Sequence, residues 1–572
     1  MPGAFQVQGN ERTFRIVIDK LDGGWSTRTF PHLLQENQLF VADNVVFNRD
    51  GLVSKRPGNI NYGGGTGKTG SAQPSLAGVR FYYGNPVAGK LLVQSGGNLY
   101  QGTDSTGAFA SIMAGLSTTQ PAAFAQMYDP DAGAGSTELF VCDGSRIPQL
   151  WNGTTASAVQ TGFVGGVQYL PNGRTGAPIT PKYAVVWNEH LVYAGEPTEP
   201  SAVYISDALR PQRFTGFAFT DSAGSPYIPY FPGGRDSTLG SVTGLAVLGQ
   251  TLLVFFTNGL VAGINTGTYG AFQYQFSRVS SSIGAVAPQS IVSFDTFVVF
   301  FGGDRFYATD STTVVPIPDL IPSVYANTAQ SVFPSEMATK NSVVGARRAQ
   351  QYWASYDVIG LGTPTRIVVF DFAANGGWTF GGAVTIGVTN GGAWSRWPTG
   401  MALGWGIECR GPGDKQQMFW GSSQADVVAQ HDTGVYSDFG NAIALEIRAK
   451  SFFLDKPIWP KTIQGLYPLL VYAVQGAAYS STITPYVVLD QQQDLAPPIS
   501  VPITPNATAY GVGEYGTFTY GASNQLAQVN PKGYPGQPSQ CFSFSPGVTE
   551  NSVNPFNLIG FVVEVTVDEP AP

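Results

Sequence analysis

Apolar and polar positions along this chain alternate in short runs broken by Gly-containing turns. The stretch "LLVQSGGNLYQGT", from Leu91, is an apolar run, a Gly-Gly turn and a second, more polar run. The same unit recurs as "LFVCDGSRIPQLWNG" from Leu139, "LVYAGEPTEPSAVYISD" from Leu191, "LLVFFTNGLVAGINTG" from Leu252 and "FVVFFGGDRFYATDS" from Phe297. Two looser copies begin at Tyr352 and Met418, so successive starts lie 48, 52, 61, 45, 55 and 66 residues apart. A single sheet made of such a hairpin cannot bury its apolar face alone. Radial stacking does bury it, and periods of roughly 40–50 residues mark β-propeller blades. A β-sandwich also has regularly spaced strands but rarely repeats one hairpin unit so many times. The expectation is an all-β protein with a β-propeller of six or seven blades over residues 61–435.

The rhythm changes after residue 435. Ala444, Glu446, Arg448 and Lys450 alternate in part with Leu445, Ile447 and Ala449, the pattern of a long half-exposed strand. "IQGLYPLLVYAV", "STITPYVVLD" and "GFVVEVTVDE" read as further strands around a polar, Gly/Pro-rich section from Gln491 to Gly547. Residues 436–572 are therefore expected to form a C-terminal β-sandwich-like domain with long loops. Residues 1–60 read as a lead-in segment ending in a hairpin, "NVVFNRDGLVSKRPG" (Asn44–Gly58), turned at Asp50-Gly51. Only Pro334–Gln351, with its Pro-Ser-Glu start, offers a short helix.

Composition sharpens this picture. Charged residues make up 12% of the chain, against roughly a quarter in an average soluble domain. The 71 glycines and 13% aromatics fit many short strands joined by tight turns. A net charge of −8 shows no basic footprint of the kind that neutralises nucleic-acid phosphates. Cys142, Cys409 and Cys541 are far apart and odd in number, which fits neither a disulfide framework nor a CxxC metal site. The opening residues lack a signal-peptide layout, and "LAVLGQTLLVFF" is too short to span a bilayer. A soluble intracellular product without a membrane-spanning segment is expected.

Candidate chemistry is sparse. "YGGGTGKTG" (Tyr62–Gly70) suggests a nucleotide loop, but the Gly-x4-Gly-Lys spacing places Tyr62 where the first glycine belongs, so a flexible polar loop is expected. Histidines occur only at 32, 190 and 431, which disfavours a histidine-based metal site, although carboxylates alone could hold calcium. No Gly-x-Ser-x-Gly elbow and no repeated sialidase-type Asp boxes are present. Trp151, Trp378 and the Phe pairs 255–256 and 300–301 read as packing between blades. Lys55-Arg56 could touch phosphate or form a solvated hairpin end. No catalytic, cofactor-binding or metal residue is assigned, and no cofactor is implied.

"LDGGWSTRTFPHLLQENQLFVADNVVFNRDGLVSKRPG" (Leu21–Gly58) resembles the start of tail proteins of short-tailed bacteriophages. Gly23-Gly24, Asn37-Gln38, Asn44, Gly51, Leu52, Arg56, Pro57 and Gly58 carry the likeness. "VYISDALRPQRFTGF" (Val203–Phe217), "EMAT" (Glu336–Thr339) and "RIVVFDFAANGGWTF" (Arg366–Phe380) are similar to blade elements of the tail nozzle, or packaged-DNA stabilisation, family. About three-quarters of the chain takes part in the resemblance, which marks architecture and not chemistry.

The resemblance implies a structural virion protein, assembled in the host cytoplasm as a hexameric ring below the portal and its adaptor. Its implied partners are tail adaptor and portal-proximal proteins, tail fibres or tailspikes, and double-stranded DNA passing through the channel without sequence specificity. It also implies that the hairpin is structural. Six copies would carry −48, a lumen of neutral polar and acidic residues from which DNA is not held by phosphate contacts. Retention would then be steric, with Ala509–Ser523 as candidate gate loops. The alternatives are a tail-associated propeller enzyme or a receptor-binding protein acting on host surface polysaccharide.

Overall fold

The computed structural model describes residues 13–26, 32–47, 51–82, 89–132, 136–164, 167–173, 176–214, 229–234, 238–267, 273–317, 337–358, 364–380, 391–398, 403–410, 416–431, 433–453, 459, 461–470, 481–490, 501–503 and 540–567. Within these, seven antiparallel sheets follow one another along the chain. Their first strands are Ser75–Phe81, Ala123–Asp129, Tyr183–Trp187, Val242–Leu248, Val292–Ser293, Val344–Arg348 and Leu403–Arg410. Each contacts the next, and the seventh contacts the first. The fold is a closed β-propeller of seven blades.

The apolar runs seen in sequence are the second strands of these blades. In blade 4, Thr251–Phe256 sends Leu252, Val254 and Phe256 into a core shared with blade 3. Leu253 and Phe255, on the opposite face, enter the core shared with blade 5. A strand buried on both faces needs apolar residues at every position, so it reads as a continuous run. The same division produces a separate buried cluster at each of the seven blade junctions. Trp151 packs against Phe81 between blades 1 and 2, and Phe255 against Phe300 between blades 4 and 5. The aromatic residues read as packing from sequence are buried here.

Blade 7 is completed from the other end of the chain. Its strands Leu403–Arg410, Gln416–Ser422 and Val428–His431 take Asn59–Asn61 as their fourth, with Ala429 opposite Asn61 and His431 opposite Asn59. Trp405 seals the seam with blade 1 by donating Nε1–H to Ser75 Oγ at 2.6 Å. Its ring lies flat on Gly78, where a Cβ would fall 2.4 Å from the indole. Gly78→Ala is therefore expected to destabilise the protein by about 1–3 kcal/mol through overpacking. A thermal melt of that variant checks it, and an unchanged midpoint would contradict the flat packing.

The C-terminal strands form two sheets over one core. Asn441–Ala449 pairs with Phe544–Ser552, which pairs with Ser481–Leu489. In the second sheet, Asn557–Val567 pairs with Lys461–Leu470. Ile443, Leu445, Ile447 and Ala449 are buried, as the alternation around them implies. Their core is continuous with that between blades 5 and 6.

Two expectations change. The described residues of 1–60 are not a separate lead-in. Leu39–Asp43 runs parallel to the last strand of blade 6 at Asp43–Arg396 and antiparallel to Asn441–Ala449, joining propeller and sandwich into one sheet. Thr13–Ile18 and Val53–Lys55 extend the second C-terminal sheet along Asn557–Val567. The boundary at residue 60 thus falls inside a propeller strand. The helix expected over Pro334–Gln351 is also absent from its described part. Lys340–Ser342 is a single 3-10 turn and Val344–Arg348 is a blade strand paired with Gln351–Asp357. Consecutive β-branched Val343 and Val344 favour the pleated surface, and Ala349 (φ +50°) closes the hairpin. Pro334–Glu336 lies outside the described residues.

Candidate functional site

Asn44, Arg56 and Gly58 of the N-terminal hairpin lie where propeller, closing strand and sandwich meet. Asn44 sits at φ +57°, a left-handed conformation that asparagine tolerates better than most side chains. Its Nδ2 donates to Ala444 O at 2.6 Å, and its Oδ1 accepts from Arg56 Nε at 2.9 Å. Its backbone N–H reaches Arg396 O of blade 6 at 2.8 Å. One asparagine thus touches the hairpin, the propeller and the C-terminal sheet.

Arg56 is fully buried. Its guanidinium forks onto Asp438, with Nη1–Oδ1 at 3.1 Å and a shorter second contact, and lies 5.1 Å from the Trp397 ring. Asn59 Nδ2 donates to the same carboxylate at 2.7 Å. On its other side Asn59 Oδ1 accepts from Trp420 Nε1 at 2.9 Å and pairs with His431 Nδ1 at 3.1 Å. Lys55, also buried, donates to Glu550 at 2.7 Å and to Ser552 O. The two cations of the hairpin are therefore neither a phosphate site nor a solvated end. Each is withdrawn from water and neutralised by a carboxylate from the C-terminal part. A low-charge protein that buries both of these cations uses them to fix geometry, since a buried ion pair adds little net stability of its own.

The glycines have steric reasons. A Cβ on Gly58 would stand 2.0 Å from Ser437 O. Gly51 supplies φ +80° for the turn, while Asp50 lies outside the described residues. Gly24, at φ +78°, leaves only 2.8 Å between a Cβ and Trp394 N. Gly23 N–H donates to Asn37 O at 3.0 Å, and Asn37 Nδ2 lies 3.3 Å from Asn375 in the turn that follows the third strand of blade 6. Pro57 helps line a cleft of about 320 Å³ with Phe47, Arg348, Asp371 and His431. Leu52 is half-buried at the hairpin turn.

The "YGGGTGKTG" loop is pinned, not flexible. Thr69 and Gly70 N–H donate to the Asp426 carboxylate at 2.9 and 2.8 Å, and Val428 N–H reaches Gly67 O at 2.6 Å. Amides that could cradle a phosphate already hold an anion of the protein's own. A second feature concerns the propeller axis. Gln289, in the 3-10 turn before blade 5, places Nε2 3.3 Å from both Leu76 O and Gly404 O. Those carbonyls belong to irregularities in the first strands of blades 1 and 7, so one side chain crosses the axial opening.

The hairpin is visible in the sequence, whereas Asp438, Glu550, Asn59, Arg396, Trp397 and His431 join it only in the fold. The available signal was indirect: isolated charges inside apolar strands of a chain poor in charge. His431 is held neutral, its pKa pushed well below the usual value by burial and by the nearby charges of Arg56 and Arg348. The unfolded chain takes up a proton near pH 6.5 that the folded site refuses, so this group lowers stability as pH falls below about 6.5. His431→Gln should make the fall in stability between pH 6.5 and 5 shallower, by up to about 1.4 kcal/mol per pH unit. Denaturation midpoints across that range test this, and parallel curves for the two proteins would contradict it.

No family model and no curated protein matches this chain. Solved structures do resemble it. The extracellular domain of a hybrid two component system from B. thetaiotaomicron aligns over 89% of this chain at 11% identity and TM-score 0.37; this chain spans 62% of its length. The BBS1N structure, solved with ARL6DN, aligns over 66% of this chain and 96% of its own, at 10% identity and TM-score 0.35. The β-propeller domain of Myceliophteria thermophila Cps50 (Swd1) aligns over 66% and 99%, at 12% identity and TM-score 0.35. At these scores they carry no argument beyond the blades already described.

Proposed function

We propose that this chain is a structural virion protein forming the nozzle of a short phage tail: a hexameric ring below the portal and adaptor that retains packaged DNA and conducts it during ejection. The observation that supports this reading most is the convergence at Asn44, Arg56, Pro57 and Gly58. Of the residues that carry the resemblance, Asn44, Arg56 and Gly58 lie where the propeller meets the sandwich. A resemblance that falls on them reaches the whole architecture and not a local turn. Neighbouring tail proteins, including the adaptor and fibres or tailspikes, are the proposed partners.

Gln289 adds a constraint. With its amide across the axis, DNA would not thread the propeller of any one copy, so the conduit in this reading lies between copies. For the polysaccharide-enzyme alternative, Asp129 and Glu138, two carboxylates of blade 2 bridged by the Gln212 amide, are only 1% and 4% exposed and closed to a sugar ring. Quantitative mass spectrometry of purified particles separates the readings. Six copies per particle, co-purifying with portal and adaptor proteins, is the expected result. Absence from particles, or release of sugar from host capsule by the purified protein, would overturn it.

A further inference from the structure

The loop Asp207–Phe214 lies over the junction of blades 2 and 3. Leu209 N–H donates to Glu189 O of blade 3 at 2.7 Å, and Phe214 N–H to Gln168 O at 2.8 Å. Beneath it, Asp129 and Glu138 come from the first and second strands of blade 2, both buried. The side chain of Gln212 spans them, with Nε2 3.1 Å from Asp129 Oδ2 and 3.3 Å from Glu138 Oε2. Asp129 Oδ1 also accepts Asp131 N–H at 2.9 Å.

The charged groups around this pair are Asp131, Arg210 and Arg213, with Asp207 on the loop and Glu189 on the blade 3 hairpin. Both arginines turn to Asp131, at 3.8 and 2.8 Å. Two carboxylates are thus held together out of water by one neutral amide. Burial and a neighbouring like charge both disfavour the ionised form of Glu138.

We propose that Glu138, buried beside Asp129 and bridged to it by the Gln212 amide, forms a pH-sensitive latch that locks the Asp207–Phe214 loop onto blades 2 and 3 at mildly acid pH and loosens it towards neutrality. Burial, and then the Asp129 charge, push the Glu138 carboxyl up to about 7, with the Gln212 amide opposing them. Once the loop opens, water restores an ordinary carboxylate, with a pKa near 4.5. The closed form therefore binds more protons than the open form between these two values. Opening becomes easier as pH rises through that window and levels off above it.

Hydrogen exchange of peptides covering residues 207–214, corrected for intrinsic exchange and run from pH 5 to 8, tests the latch. In the native protein the opening constant should rise by up to about tenfold per pH unit to near pH 7 and then flatten. Glu138→Gln should remain protected with no such slope. Asp129→Asn, which removes the neighbouring charge, should move the plateau to lower pH and serves as the test where Glu138→Gln does not fold. Native protection independent of pH, or an unaltered slope and plateau in the folded variants, would overturn the proposal.

Discussion

Glu550→Leu is expected to destabilise the protein by about 3–5 kcal/mol, because it strands the Lys55 ammonium in a site without water. Lys55 Nζ has Glu550 and the Ser552 carbonyl as its partners, and both members of the ion pair are fully buried. Burial already lowers the Lys55 pKa against the opposing pull of Glu550. Without the carboxylate that depression deepens, and the variant must either deprotonate the lysine or open the hairpin. Adding Lys55→Met removes the stranded charge and should recover most of the loss. Denaturant melts of the single and double variants decide the matter. A single variant as stable as the native protein would mean that water reaches Lys55. A double variant no better than the single would assign the loss to packing.

The second large effect is expected at Asn59. Asn59→Leu keeps the branched shape but removes the donor to Asp438 and the acceptor shared by Trp420 and His431, at a cost of about 1–3 kcal/mol for each orphaned donor. Asn59→Asp behaves differently. It keeps an acceptor for both donors but loses the amide that donates to Asp438, and the carboxylate it places between Asp438 and His431 favours the imidazolium. The His431 pKa should therefore rise from its depressed native position. With three histidines in the chain, imidazole proton resonances can be followed individually across pH. An unmoved His431 resonance in Asn59→Asp would show that the ring does not face this side chain.

The propeller was legible because its second strands are buried on both faces and stand out as continuous apolar runs. The first strands were not. Val242–Leu248 mixes buried Val242, Gly244 and Ala246 with half-buried Thr243, Leu245 and Val247, a pattern common to many half-exposed strands. The contribution of residues 13–61 was also invisible, since three-residue strands such as Val53–Lys55 and Asn59–Asn61 take their meaning only from distant partners. The same holds for the closure site. Asn44 and Arg56 were visible through the resemblance, whereas Asp438 and Glu550 lie hundreds of residues away and no local pattern marks them. Ala509–Ser523, considered as a gate, lies outside the described residues.

In the proposed role, this propeller and its locked sandwich act as one subunit of a DNA-conducting ring. An electron cryomicroscopy reconstruction of the tail of the intact particle tests it most directly. The expected result is six copies around a lumen lined by neutral polar and acidic side chains, with DNA between subunits and Gln289 still across each propeller axis. A monomeric placement at the tail periphery, or a lumen ringed by lysine and arginine, would contradict it.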